Sequence, residues 1–451
     1  MYDLIVIGAG PGGYTAAIHA AELGAKVCLI EKDNVGGICL NEGCIPTKFI
    51  VNSVKVLSEI SKASQFGINV ENFKLNLPQM HVKKDAVVNA LRTGVEFLLK
   101  KAKIEIIKGI ATFENANTVS VSGPPAGEAG EKIQAKYIII ATGSEYTQTA
   151  SLKIDHKNIL SSTDALLINE IPSSVIVIGG GYIGCEFACI FKQMGSDVTI
   201  VEMEKQILPR QDEEMAKRLN MLMKKKGVKF CLGCGIKELK TENDTVTALL
   251  ENGETLKAQK ALLNIGRRPN IKNLGLENAG IKLNGNCIAV NEYMRTNVEN
   301  IYAVGDAIGS YYLAYTAYLE GKVAAENIFK GPQKIEYGVV PACIFTTPEF
   351  SSAGLTEAEA KKQGYSTEIK TYSFLASAKA RILDDTDGTI KIIIDTKTDV
   401  ILGVHILGPD ACELIAEATL VVQNKTKAKE FIKIMHAHPT LSESLHDALA
   451  K

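Results

Sequence analysis

Residues 3–31 read DLIVIGAGPGGYTAAIHAAELGAKVCLIE. An apolar run, Leu4 to Ile7, ends in Gly8-x-Gly10-x-x-Gly13; a small-residue helix pattern follows to Leu23, Gly24 stops it, and a second apolar run ends in Glu31. This order predicts a βαβ unit that binds a dinucleotide, with an acid about 20 residues beyond the glycines. Gly8 serves the tight turn, Gly10 the approach of backbone to a pyrophosphate, and Gly13 the packing of helix on sheet. The helix start turns free N–H groups and a positive dipole end toward the phosphates. Glu31 can accept hydrogen bonds from a ribose.

The pattern recurs at residues 174–202, SVIVIGGGYIGCEFACIFKQMGSDVTIVE. Adding 171 to Gly8, Gly10, Gly13, Gly24 and Glu31 gives Gly179, Gly181, Gly184, Gly195 and Glu202 with no gap. Two fingerprints imply two dinucleotides, and such a chain is expected to pass a hydride between a flavin and a nicotinamide. Glu202 suits the free ribose 2′-hydroxyl of NAD and repels the 2′-phosphate of NADP. Met203, Glu204 and Lys205 supply no basic cluster, so NAD is expected.

Between the fingerprints lies Gly36–Lys48, GGICLNEGCIPTK, with Cys39 and Cys44 separated by four residues. A lone pair offers two ligands where a structural zinc takes four, so no metal site is expected. A disulfide framework belongs to small secreted domains. A redox dithiol or two ordinary buried cysteines remain open from the pair alone.

The chain of 451 residues, 46% apolar and 22% charged, has the makings of about three globular domains. A net charge of −1 excludes an electrostatic case for nucleic acid or an anionic membrane. The chain opens directly on a strand, MYDLIVIGAG, with no signal-peptide pattern, and no run approaches a membrane span. A cytoplasmic protein is expected, in which Cys28, Cys185, Cys189, Cys287, Cys343 and Cys412 are small core residues. Cys231 and Cys234 sit in or beside a strand, where residues three apart face opposite ways.

Residues 51–102 read as helices, with Val54, Leu57 and Ile60, and later Val87, Leu91, Val95 and Leu98, at helical spacing. Short β runs follow (IEIIKG, TVSVSG, KYIIIATG), broken by a Gly/Pro-rich hairpin at GPPAGEAG. Thr142 and Gly143 end the last of these at a nucleotide site. After Glu202 come a helix over Glu213–Lys226, the run LLNIGRRPN containing Gly266, and IYAVGDAIG with Asp306. On local grounds Asp306 reads equally as a hydroxyl ligand or a turn. From about Gln333 an α+β tail begins and ends in HAHPTLSESLHDAL.

Together and in this order, GGICLNEGCIPTK, the doubled fingerprint, ATGS, LLNIGRRPN, IYAVGDAIG and HAHPTLSE resemble the pyridine nucleotide-disulfide oxidoreductases, over essentially the whole chain. Within the family the likeness is to members that oxidise protein-bound dihydrolipoamide with NAD. The resemblance implies an α/β fold of two Rossmann-like dinucleotide-binding domains plus a C-terminal α+β dimerisation domain. It implies an FAD domain over 1–143, an NAD domain over 144–270, a central domain over 271–332 completing the FAD site, and a dimerisation domain over 333–451. Cys39 then resembles the interchange thiol, Cys44 the thiol facing the flavin, and Lys48 the cation beside the flavin ring. Asp306 matches the aspartate on the ribityl chain and Glu186 the glutamate near the nicotinamide. His438 resembles the acid/base, supplied by the partner subunit of a homodimer, and Glu443 the carboxylate that orients it. His436 is expected to be a surface or structural histidine, and His446 a solvated helix residue.

The implied electron donor is a lipoyl-carrying protein of a 2-oxoacid dehydrogenase, acetoin or glycine-cleavage system. Rivals are a glutathione-type reductase, a mercuric ion reductase or a non-catalytic flavoprotein assembly subunit. The missing basic residues at Glu202, the missing C-terminal cysteine pair, and the joint presence of both cysteines and the His–Glu pair argue against them in turn. Glu42 and Asn264 depart from the family pattern without touching a mapped position. If Cys39 and Cys44 bridge, a regular helix between them must be distorted: five residues rise roughly 7.5 Å, and bridged Cα atoms lie within about 7 Å. Gly43 eases that distortion.

Overall fold

The computed structural model describes residues 1–123 and 130–450. Most of the GPPAGEAG hairpin lies outside the described residues. The chain divides into two compact units, one of residues 1–50, 76–147 and 266–337, the other of residues 51–75, 148–265 and 338–451.

The first unit is built on the first fingerprint. Leu4, Ile5 and Val6 are fully buried, which a strand achieves only when both faces of its sheet are covered. That strand, Tyr2–Ile7, runs parallel to Val27–Glu31 on one side and to the end of Glu131–Ile140 on the other. Ile301–Ala303, from far along the sequence, pairs parallel with the same end of Glu131–Ile140. The other end of this long strand turns antiparallel to Thr118–Ser122, which pairs with Ile110–Asn115, a strand the sequence did not signal. The helix Pro11–Glu22 packs on the sheet and on the helix Ala314–Phe329. Gly321 makes that approach possible, since a Cβ there would run into the carbonyl oxygen of Gly12.

The second unit repeats the device. Ser174–Ile178, Asp197–Glu202, Lys229–Leu232, Lys260–Leu263 and Ile159–Leu160 form a parallel five-stranded sheet. A three-stranded antiparallel sheet spans residues 236–258. The same unit contains an antiparallel five-stranded sheet of Ala342–Ile344, Glu349–Gly354, Ile401–Gly408, Thr389–Asp395 and Thr367–Ser373, backed by the helices Ala411–Gln423 and Glu443–Ala450. The expected fold class is therefore what is found, an α/β protein with two doubly wound dinucleotide folds and an α+β segment. A buried cluster joins parts of this second unit: Lys391, 1% exposed, lies 3.0 Å from Asp212, 3.1 Å from Glu214 and 2.8 Å from Glu357.

Among the described residues no helix is long and apolar enough to cross a membrane.

Candidate active site

The internal repeat extends to individual hydrogen bonds. Glu31 accepts the N–H of Ala9 at 2.6 Å and of Asp33 at 2.8 Å. Glu202 accepts the N–H of Gly180 at 2.5 Å and of Glu204 at 2.8 Å, the same positions advanced by 171. In both turns the first glycine has a positive φ, +100° at Gly8 and +105° at Gly179, and a Cβ on the third would collide with the carbonyl oxygen of the first. Gly10 and Gly181 leave the helix starts open: a Cβ on Gly10 would touch only Gly37, and one on Gly181 nothing. Burial pushes the Glu31 carboxyl above its ordinary range, while the two N–H bonds oppose that rise. Each carboxylate oxygen keeps a lone pair for a ribose hydroxyl.

Cys39 lies in the short helix Gly37–Glu42, and Cys44 begins the long helix Cys44–Lys62. Gly43 separates them at φ −135° and ψ −107°, so the regular helix is broken where the spacing required it. The two sulfurs come within 2.6 Å of each other. The Cys39 thiol is pushed far up by its hydrogen bond to Cys44, then by burial and by the charge of Cys44; Lys48 pulls the other way. Lys48 stands one helical turn after Cys44 and so on the same face. Two phenols not signalled by sequence also face the pair. Tyr14 and Tyr318 hydrogen-bond at 3.0 Å. Both phenols are raised chiefly by burial, with the charge of Cys39 adding to each.

Asp306 accepts the hydroxyl of Ser144, whose oxygen also takes the Nε of Arg267 at 2.7 Å. Thr142, two residues earlier, has a buried hydroxyl with no hydrogen-bond partner among the described residues. Gly143 and Gly266 flank this cluster with φ of +70° and +111°. Beneath it Glu320, fully buried, accepts the N–H of Gly305 at 2.6 Å, Ser310 Oγ at 2.9 Å and the Tyr337 hydroxyl at 2.7 Å, fixing the turn that carries Asp306. Ser144 and Arg267 fall inside motifs quoted above. Glu320 has no local signal, because only the helix packing brings it under the turn.

In the second unit Glu186, 3% exposed on the helix Tyr182–Gln193, accepts the N–H of Phe345 at 2.9 Å. His438 is exposed, and its Nδ1 meets Glu443 at 2.9 Å. His436 is buried against Glu417 at 2.8 Å, a structural role. His446 is half-buried rather than fully solvated: its Nε2 lies 3.0 Å from the Ile432 carbonyl oxygen and its ring 5.7 Å from that of His436, because its helix packs inward. Cys28, Cys185 and Cys189 are core residues, whereas Cys287, Cys343 and Cys412 are only half-buried. Cys231 ends up on the strand Lys229–Leu232 and Cys234 just past it.

Two dinucleotide folds and a thiol pair in a broken helix define a flavin- and nicotinamide-linked disulfide oxidoreductase. Residues 2–321 match the family Pyridine nucleotide-disulphide oxidoreductase, and residues 340–449 match that family's dimerisation domain; the chain belongs to this family. Its cofactors are FAD and NAD. A dihydrolipoyl dehydrogenase of Bacillus subtilis is 40% identical over 99% of this chain and 97% of its own length. One from Geobacillus stearothermophilus is 41% identical over 99% and 95%. Among solved structures, LpdA from Mycobacterium tuberculosis superposes with a TM-score of 0.91 at 27% identity, covering 99% of each chain.

The cavity chemistry fits FAD in the first unit: an open helix start, an acid at the strand end, and a buried Thr142 hydroxyl left without a partner.

Proposed function

We propose that this chain oxidises a protein-bound dihydrolipoyl group to its cyclic disulfide with reduction of NAD. The observation that carries the reading is the contact of Cys39 and Cys44 at 2.6 Å across the break at Gly43. The relatives above, alike over almost their whole length, support the substrate class.

The reading assigns FAD to residues 1–143 together with 271–332, NAD to 144–270, and dimerisation to 333–451. Gly8, Gly10, Gly13, Glu31, Thr142, Gly143 and Asp306 hold FAD, with Lys48 beside its ring. Gly179, Gly181, Gly184, Glu186, Glu202 and Gly266 hold NAD. FAD bound there supplies two-electron chemistry between a dithiol and a nicotinamide.

The remaining steps belong to the chain's own groups. In a homodimer, His438 of one copy serves the thiols of the other. It takes a proton from the substrate dithiol, since the thiolate is the effective nucleophile. Glu443 holds the Nδ1 proton, leaving Nε2 as the base, and steadies the imidazolium that forms. The substrate thiolate attacks Cys39 in the Cys39–Cys44 disulfide, and Cys44 departs as a thiolate. The second substrate sulfur attacks the first; the mixed disulfide breaks, and Cys39 is released reduced. Lys48 favours the anionic form of the pair by its charge.

The carrier is a lipoyl protein of a 2-oxoacid dehydrogenase, acetoin or glycine-cleavage system. The test is NAD reduction with dihydrolipoamide, run beside NADPH oxidation with glutathione disulfide. Turnover in the first alone supports the reading; turnover only in the second sinks it.

A further inference from the structure

Cys343 and Cys412 take no part in the catalysis above, yet each sulfur lies against the backbone at or beside the other. Cys343 is the middle residue of the strand Ala342–Ile344, and Cys412 is the second residue of the helix Ala411–Gln423. The helix start is pinned to the neighbouring strand. Ser351, the cross-strand partner of Cys343, donates its hydroxyl to the Ala411 carbonyl at 2.7 Å, and Glu349 accepts the Cys412 N–H at 2.9 Å. The Cys343 sulfur then lies 3.7 Å from the Cys412 carbonyl oxygen, and the Cys412 sulfur 3.8 Å from that of Ile344. Each sulfur thus lies against the backbone at or beside the other cysteine, and neither is in a disulfide.

The strand end beyond Cys343 is stitched to the second fingerprint helix. Phe345 gives its N–H to Glu186 at 2.9 Å, and Thr347 receives the side-chain amide of Gln193 at 2.8 Å. Cys343 also lies close enough to Tyr182, the first residue of that helix, for its charge to act on the phenol. Residues 343–347 are therefore bonded to the middle and the end of the helix expected to hold NAD.

We propose that Cys343 and Cys412 are a second, reversible disulfide site, oxidised by hydrogen peroxide, whose closure pulls residues 343–347 and weakens NAD binding at the second fingerprint. In the first step the Cys343 thiolate attacks one peroxide oxygen; the O–O bond breaks, the sulfur becomes a sulfenic acid, and the departing hydroxide takes a proton to give water. In the second, the Cys412 sulfur attacks the sulfenic sulfur, the S–S bond forms, and the second oxygen leaves as water. The pair loses two electrons and two protons, and the peroxide is reduced to two waters. Cys412 suits the resolving role, because its interaction with Cys343, its burial and the charges of Cys343 and Glu349 keep it protonated. The same burial and charge slow the reaction, so the site answers an oxidant rather than turning over with substrate.

From the functional reading this takes only the assignment of NAD to the second fingerprint. The full-length FAD-loaded enzyme is treated with hydrogen peroxide, alkylated and digested with trypsin without reduction. Peptides 335–361 and 398–425 are expected to appear as one disulfide-linked species, absent in Cys343→Ser and Cys412→Ser. Calorimetric NAD binding to the oxidised wild type is expected to weaken by about fivefold or more. Dithiothreitol should restore it, and the two serine variants should not respond; if one fails to fold, the other carries the control. No linked species under oxidant that fully oxidises Cys39 and Cys44 overturns the site. A linked species with unchanged NAD affinity overturns the coupling. Reduced enzyme that binds no NAD at all sinks the functional reading and the coupling with it, but leaves the peptide result to decide the disulfide.

Discussion

His438 Nδ1 lies 2.9 Å from Oε2 of Glu443, and the other oxygen of that carboxylate takes the Thr440 N–H at 3.2 Å. The carboxylate is thus fixed from the backbone and in turn fixes the imidazole. His438→Gln should lower turnover with dihydrolipoamide by on the order of 10²–10⁴, the usual worth of a general acid/base. Glu443→Gln should lower turnover less and move the pH–rate profile, because the imidazolium loses its counter-charge. A His438 variant at the wild-type rate removes this residue from the reaction.

Cys44→Ser keeps the size of the side chain and removes one redox sulfur. Turnover with dihydrolipoamide should fall below detection while FAD content stays at that of the wild type. The flavin is held by the glycine turn, Glu31 and the Asp306 cluster, none of which depends on the thiol. Loss of FAD in the purified variant would show that the broken helix at Gly43 is a structural support of the flavin site.

Glu202 holds two backbone N–H groups and faces the second glycine turn. Glu202→Arg should weaken NAD by roughly 10- to 100-fold, the worth of hydrogen bonds to a charged group, and should narrow the preference over NADP. Glu202→Gln keeps one acceptor and serves as the control for damage to the turn. Kinetics with both nucleotides decide; an unchanged ratio means that the ribose is read elsewhere.

What could be read from the sequence follows from how local each signal is. Glycine turns, strand-end acids and the CxxxxC pair are set by neighbours within a few dozen residues, so Gly8 and Glu31 with their repeats, and Cys39, were legible before any fold was known. Even the break at Gly43 followed from helix geometry. Residues placed by long-range packing were not legible. Glu320 reaches Gly305 only because its helix crosses the turn, and Tyr14 meets Tyr318 across 304 residues of sequence. His446 looked solvated because a helix alone does not reveal which face its neighbours cover. Cys343 and Cys412 looked like ordinary core residues because their meeting requires both a sheet register and a helix docking.

Thr142 has a buried hydroxyl without a partner, which costs about 1–3 kcal/mol where nothing satisfies it. Thr142→Val is nearly isosteric. If the hydroxyl bonds the flavin, the variant should release FAD about tenfold more readily, read as flavin fluorescence on dilution. Its flavin-free form should be at least as stable as that of the wild type. Unchanged FAD affinity would mean that the hydroxyl does not serve the cofactor.

His405 gives the second unit a pH dependence of definite sign. Its side chain is buried, its Nε2 lies 3.1 Å from the Leu355 carbonyl oxygen, and its Nδ1 has no partner among the described residues. Lys391 lies directly across the sheet, Asp212 and Glu359 face it from neighbouring helices, and Ser352 is its partner on the other side. Burial holds the imidazole below its ordinary value; Asp212 and the Leu355 bond oppose this, and Lys391 reinforces it. The unfolded chain therefore binds a proton near pH 6.5 that the folded chain refuses. The stability from this group is complete above about pH 6.5 and declines as pH falls toward the depressed folded value, by at most about 1.4 kcal/mol per pH unit. His405→Gln removes the titrating group and can still bond Leu355. Urea midpoints for both proteins at pH 7.5 and 5.5 are the measurement, since a multidomain chain need not unfold in two states. The wild type should lose more of its midpoint than the variant over this interval. An equal loss in the two proteins would place the acid sensitivity on other groups.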